Sequence, residues 1–183
     1  MARLLPKKRT PPSQTWHTFL DNHVKDLVSI DFFVVPTATF RILFVLVVLA
    51  HDRRRVVHFN GTEPKYLLRD RDSIYGEEFR ERIQAIGIEE ITTAPRSPRQ
   101  NPFCERLIGS VRRDCLNHII ILGESHLRKI LARYFDYYHK YRTHLSLDKD
   151  APERRPIQDA KLGEVTEIPE VGGLHHHYER RAA

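Results

Sequence analysis

The sequence predicts an α/β fold, a mixed five-stranded sheet with flanking helices. Three observations carry that reading. Apolar, β-branched runs recur between residues 27 and 60, joined by short links. A strand–helix–strand order follows over 65–93. Two segments with three/four apolar spacing, 101–117 and 124–143, then close the series as helices packed on the sheet.

Residues 16–25 read as a short, weakly amphipathic segment. Residues 27–35 (LVSIDFFVV) form a strand stopped by Pro36. Residues 40–50 form a second strand, continuous in apolar residues and so expected to be covered on both faces. The link 36–39 suits a hairpin, and a third strand, 55–60, follows the charged turn 51–54. Gly61 and Pro64 then break the chain.

Residues 65–69 read as a buried strand ending at Asp70. Residues 77–86 are helical, with Phe79, Ile83 and Ile86 on one face and Gly87 as the stop. A fifth strand covers 88–93, and the loop 94–100 carries Pro95 and Pro98. In the helix 101–117, Asn101 is placed to cap and Pro102 occupies the first turn, where its missing N–H costs little. Leu127, Ile130, Leu131, Tyr134, Phe135, Tyr138 and Tyr141 mark the buried face of the helix 124–143. The expected organisation is a basic, proline-containing arm or linker remnant (1–15), a core (16–145) and a charged, poorly ordered tail (146–183).

Composition narrows the function classes. The chain has 183 residues, 40% of them apolar, enough for one domain with a core and too many for a wholly disordered chain. Two cysteines, Cys104 and Cys115, exclude a disulfide framework and lack zinc-ligand spacing, so a reduced, cytosolic setting is expected, at the nucleoid if the source is bacterial. The longest apolar stretch, 42–50, is about half of what a membrane-spanning helix needs. The basic N-terminus has no apolar region after it, so no signal peptide is expected. A net charge of +6 points to an anionic partner, with nucleic acid the first candidate.

Three acids stand out by position. Asp31 lies inside the first strand, where a carboxylate is costly to bury unless paired or bound to a cation; the alternative is a wet second face. Asp70 ends a buried strand, the place where sites in open sheets gather. Asp72, two residues on, is its rival, and a solvated turn is the plain alternative for both. Glu105 sits near a helix N-terminus, where the dipole alone favours an acid. It is also the only acid between 96 and 113, amid Arg96, Arg99, Arg106, Arg112 and Arg113, and it shares a helix face with Asn101 and Arg112. Arginines around one carboxylate suit a metal-bound phosphodiester.

These strings together resemble the catalytic core of retroviral-type integrases and insertion-sequence transposases, the Asp-Asp-Glu superfamily. The acids run Asp, Asp, Glu, with 35 positions between Asp70 and Glu105. VSIDFF (28–33) resembles the first-acid strand and RDRDSIY (69–75) the second-acid turn, although Asp72 stands where the family has glycine. PRSPRQNPFCER (95–106) is the most specific match, and YYHKYRTH (137–144) resembles the segment that closes the core. The resemblance covers about residues 14–157. It implies an RNase H-like fold with sheet order 3-2-1-4-5. It implies that Asp31, Asp70 and Glu105 hold two divalent cations, Mg2+ or Mn2+, for in-line displacement at a DNA phosphodiester. Arg99, Asn101, Arg106, Arg112 and Arg113 become the expected DNA-binding set. Mobile-element ends and target DNA become the expected partners, with a homo-oligomer if the enzyme is active and no membrane.

One interval departs from the family. Only 39 positions separate Asp31 from Asp70, and the helix between the third and fourth strands is missing. With a full third strand, the link 61–64 must bridge roughly 21 Å with a reach of roughly 18 Å. A strand must therefore fray or re-pair, and Val, Leu and Phe side chains of the first two strands should be uncovered. The expectation is a truncated or decayed copy that also lacks an N-terminal DNA-reading domain, with weak or no cleavage. The alternative is a non-catalytic DNA-binding remnant. Residues 53–55 (RRR) are expected as a solvated turn, 175–177 (HHH) as a solvated native tract, His139 and His144 at the surface or core edge, and Cys104 and the tyrosines of 134–141 in the core.

Overall fold

The computed structural model describes residues 15–57, 64–95 and 100–182. Helix α1 (Trp16–His23) starts at Thr15, whose hydroxyl accepts the amide N–H of Thr18 at 3.2 Å. Strand β1 (Leu27–Pro36) pairs antiparallel with β2 (Ile42–Ala50) along its length. Thr37 closes the turn, its amide donating to the Arg41 carbonyl at 2.8 Å. Strand β3 (Arg55–Val56) follows, then β4 (Tyr66–Arg69), helix α2 (Glu77–Ala85) and β5 (Glu89–Thr92). Gly87 ends α2's turn with φ +77°, a conformation that suits glycine. Helices α3 (Pro102–Asp114) and α4 (Glu124–Lys140) complete the core.

The sheet order is β3-β2-β1-β4-β5, with β1, β4 and β5 parallel. This is the order the resemblance implies. Among the described residues the paired third strand is two residues long. Arg55 lies opposite Ala50, Ala50 opposite Val28, and Leu27 opposite Tyr66. Both β3 and β4 therefore begin at the same end of the sheet. From Val57 to Tyr66 the chain must shift about 14 Å sideways and about 10 Å along the strands. That lies within the roughly 32 Å an extended segment of that length spans. Residues 58–60 of the expected strand lie outside the described residues.

The two sheet faces are unequally covered. On one, Phe33, Val35, Val47 and Leu49 pack against Cys104, Leu107 and Val111 of α3 and against Leu127, Leu131, Tyr134 and Tyr138 of α4. The expected core positions of Cys104, Tyr134 and Tyr138 follow from this contact. The other face buries Val28, Ile30 and Leu67 against Tyr75, with Phe79 and Ile83 of α2 alongside. Farther along the same face, Val34, Ile42, Phe44 and Leu46 stay exposed, Phe44 at 66%.

The C-terminal segment is not the poorly ordered tail expected. Strands β6 (Glu164–Glu170) and β7 (His175–Arg181) form an antiparallel hairpin in register from Glu164–Arg181 to Glu170–His175. His175 stacks on Tyr137 with ring centroids 4.6 Å apart, and His177 on Tyr141 at 3.8 Å. Two residues of strand advance about 6.6 Å and four residues of helix about 6 Å, so the two stacks coincide. The histidine tract is therefore a docking edge rather than a solvated run. His177 is buried and paired with Glu170 and Glu179.

Candidate active site

Strand register sets the first two acids together. Ser29 pairs with Leu68 in the parallel β1–β4 ladder. Asp31 lies two residues farther along β1, on the face that α3 covers, and Asp70 directly follows the end of β4. Adjacent strands lie about 4.8 Å apart. Asp31 is half-buried, and its Oδ1 accepts the Phe32 amide N–H at 2.8 Å. It is neither sealed in the core nor the freely exposed acid of a wet face. Asp70 Oδ1 accepts the amide N–H of Asp72 at 3.1 Å, and Asp72 Oδ1 accepts that of Ile74 at 3.1 Å. The second-acid turn is thus built from two consecutive side-chain-to-backbone bonds.

Glu105 arrives on the first turns of α3, exposed. Pro102 opens the helix as expected, but Asn101 makes no side-chain capping bond. Its side chain instead reaches β1, where Nδ2 donates to the Ile30 carbonyl at 3.2 Å. Asn101 is only 4% exposed, so it is withdrawn from the expected DNA-binding surface and acts as a brace between α3 and the strand carrying Asp31.

Electrostatics ties the acids into one group. Burial, joined by the charges of Asp70, Glu105 and Asp72 and opposed by the Phe32 amide, pushes the Asp31 carboxyl up to about 6. Asp70 acts on it more strongly than Asp72. The donor set is chemically right for a hard divalent cation: carboxylate oxygens whose mutual repulsion such an ion would relieve. Among the described residues, however, no three His, Cys, Asp or Glu side chains are gathered closely enough to hold a metal ion.

Residues 86–152 match the family model described as integrase core domain. The fold is also similar to that of a chain in the simian T-cell lymphotropic virus intasome, solved in complex with PP2A regulatory subunit B56 gamma. The TM-score is 0.56 at 13% identity, over 84% of this chain and 66% of that one. The fold is of the integrase-core type. Two further integrase cores align over 70% of this chain: the HTLV-2 catalytic core domain in complex with magnesium (TM-score 0.44, 12% identity, 92% of that chain), and the BIV catalytic core domain (TM-score 0.42, 14% identity, 91% of that chain). No curated protein sequence matches the chain.

The basic residues expected to meet DNA fall in different places. Arg99 lies outside the described residues. Arg112 leans to the far end of β1, its Nη2 donating to the Val34 carbonyl at 3.4 Å and its guanidinium 5.7 Å from the Phe33 ring. Arg106 and Arg113 are exposed and line a cleft that also takes in Glu105. The turn 53–55 is only partly solvated: Arg53 donates to the carbonyls of Ala151 and Pro152, and Arg54 lies over the Phe103 ring.

Two supporting residues escape a sequence reading. Arg69 is 4% exposed, ion-paired with Glu90, and donates through Nη1 to the Asp70 carbonyl at 2.6 Å. It holds the second-acid turn from inside the sheet; the signal was an arginine closing an apolar strand just before the acid. Tyr75 is buried against Phe32 and Phe79, and its hydroxyl has no hydrogen-bond partner among the described residues. Burial, with the charges of Asp70 and Asp31, holds that hydroxyl firmly protonated. It lies at the end of the RDRDSIY string, where an aromatic reads as ordinary core. Among the described residues, no helix is long and apolar enough to cross a membrane.

Proposed function

We propose that the chain is the core of a DNA strand-transfer enzyme, an integrase or transposase, shortened between Asp31 and Asp70. Its substrates are mobile-element ends and target DNA, and it works as a homo-oligomer. The supporting observation is the electrostatic coupling of Asp31 to Asp70, Glu105 and Asp72 at the register where β1 and β4 run side by side.

Asp31, Asp70 and Glu105 would hold the cations, Mg2+ or Mn2+. When bound, such cations activate the attacking oxygen and stabilise the leaving one at a phosphodiester. The Phe32 amide orients the Asp31 carboxylate, Arg69 fixes the backbone of Asp70, and Asn101 fixes the start of α3 relative to β1. Arg106 and Arg113 supply positive charge for the DNA backbone beside Glu105.

The test is an oligonucleotide assay with matching element ends and Mg2+ or Mn2+. The expected result is slow end nicking or joining that Asp31→Asn abolishes. DNA binding indifferent to metal, with no cleavage in either ion, would overturn the catalytic reading. A non-catalytic DNA-binding remnant would then stand in its place. That no three carboxylates are gathered to hold a metal ion among the described residues favours that second reading.

A further inference from the structure

The cleft beside Glu105, about 510 Å3, lies between α3, the turn before β3 and the segment after α4. That volume is in the range of ligand sites, roughly 300–1,000 Å3. Arg54, Arg106, Arg113 and Arg142 line it, with Glu105 the only acid among its described lining residues. Arg142 is committed to Asp114 and Ser110. Among the described residues, Arg54, Arg106 and Arg113 have no carboxylate partner.

Three features show that the cleft is built rather than incidental. First, Arg53 and Arg54 are consecutive left-handed residues, at φ +49° and +56°. Such backbone is costly outside glycine and persists only when surroundings impose it. Arg53 is anchored to Asp150 Oδ2 at 2.9 Å, the Ala151 carbonyl at 2.7 Å and the Pro152 carbonyl at 2.8 Å. The turn so held delivers Arg54 to the cleft. Second, a Cβ at Gly109 would stand 3.2 Å from Arg113 Nη1. The glycine leaves room for Arg113 to fold back along α3, so a cation covers position 109 although no side chain there could supply one. Third, His144 in the cleft wall is 8% exposed and its Nε2 has no hydrogen-bond partner. A buried polar atom left unpaired calls for a ligand.

We infer that this cleft binds successive phosphates of a DNA strand through Arg54, Arg106, Arg113 and the imidazole of His144. The inference rests on the DNA reading above and extends it to residues outside the carboxylate set. A strand fits better than a small anion. Arg106 and Arg113 are two helical turns apart, about 10.5 Å along the axis, too far for one phosphate to bridge. The cleft also runs up to Glu105, so one strand can lie in it and reach the carboxylates.

The test is fluorescence anisotropy of a labelled DNA duplex binding the full chain in EDTA over a salt series. Neutralising one phosphate-binding cation lowers the slope of log affinity against log salt by about one. Arg54→Gln and Arg106→Gln are each expected to do so and to weaken binding about fivefold, while Arg54→Lys keeps the wild-type slope. Arg106 is exposed, so its variant carries the test even if Arg54→Gln fails to fold. Unchanged slopes in both folded variants would overturn the site. So would calorimetric binding of inorganic pyrophosphate that the duplex does not displace, which would mark a site for a small anion. Because no divalent ion is present, either outcome is distinct from failure of Mn2+-dependent cleavage.

Discussion

The side-chain amide of Asn101 donates to the carbonyl of Ile30 at 3.2 Å, across 71 positions of sequence. The bond joins the residue before α3 to the residue before Asp31, so it sets the distance from Glu105 to the first acid. Asn101→Ala leaves a buried carbonyl without its donor, which costs about 1–2 kcal/mol. Thermal unfolding should show that loss. Nicking should fall by more than stability alone accounts for, with Asn101→Gln restoring stability less than fully.

Asp31 is held at the expense of stability. Its pKa of about 6 in the folded protein exceeds the ordinary 3.8. Its contribution to stability is therefore fully present below about pH 4 and is lost as pH rises through about 6. Asp31→Asn should unfold at a higher temperature than wild type at pH 8, by on the order of 1–2 kcal/mol after allowance for partial solvation. At pH 4 the two should melt together. Equal melting at pH 8 would mean that the carboxylate sits in water.

Acid sensitivity arises elsewhere. His51 is buried, hydrogen-bonded to Ser29 Oγ, and lowered to about 4 by burial and by Arg54. His144 is lowered to about 4 by burial, Arg142 and Arg54. Both folded values lie below the ordinary 6.5, so their contributions are complete above pH 6.5 and vanish as pH falls through 4. Urea unfolding from pH 7 to pH 4 should show that loss. His51→Gln, which can still bond Ser29, should shrink it by on the order of 2 kcal/mol.

The hairpin makes its own prediction. His177 lies between Glu170 and Glu179 and stacks on Tyr141 with an interplanar angle of 7°. His177→Ala removes the stack and leaves Glu170 without that partner. Hydrogen exchange should then speed up in 164–181 while the amides of β1 stay protected. Uniform exchange across both regions would mean that the hairpin folds as one unit with the core.

What the sequence makes legible follows from short-range physics. The β-branched runs of β1 and β2, the Pro102 start of α3 and the three/four spacing of α4 lie where pattern alone sets them. Asp31, Asp70 and Glu105 were visible as acids out of place. The nearness of the strands carrying Asp31 and Asp70 needs strand register, which a pairing such as Ser29 with Leu68 supplies only in three dimensions. The hairpin 164–181 was hidden because its strands, EVTEIPE and HHHYERR, carry charge instead of apolar alternation. Its docking partners, Tyr137 and Tyr141, lie on a distant helix. Arg54 was hidden for a similar reason. In a run of three arginines nothing local tells which one turns inward; the carbonyls of 151 and 152 decide it.

The central claim is that Asp31, Asp70 and Glu105 form one cation site. Electron paramagnetic resonance of Mn2+ titrated into the full chain tests it most directly, because free and bound ions are counted without any reaction. The account predicts saturable binding that is lost in Asp31→Asn and Glu105→Gln and kept in Asp72→Asn. Binding that is the same in wild type, Asp31→Asn and Glu105→Gln would contradict it.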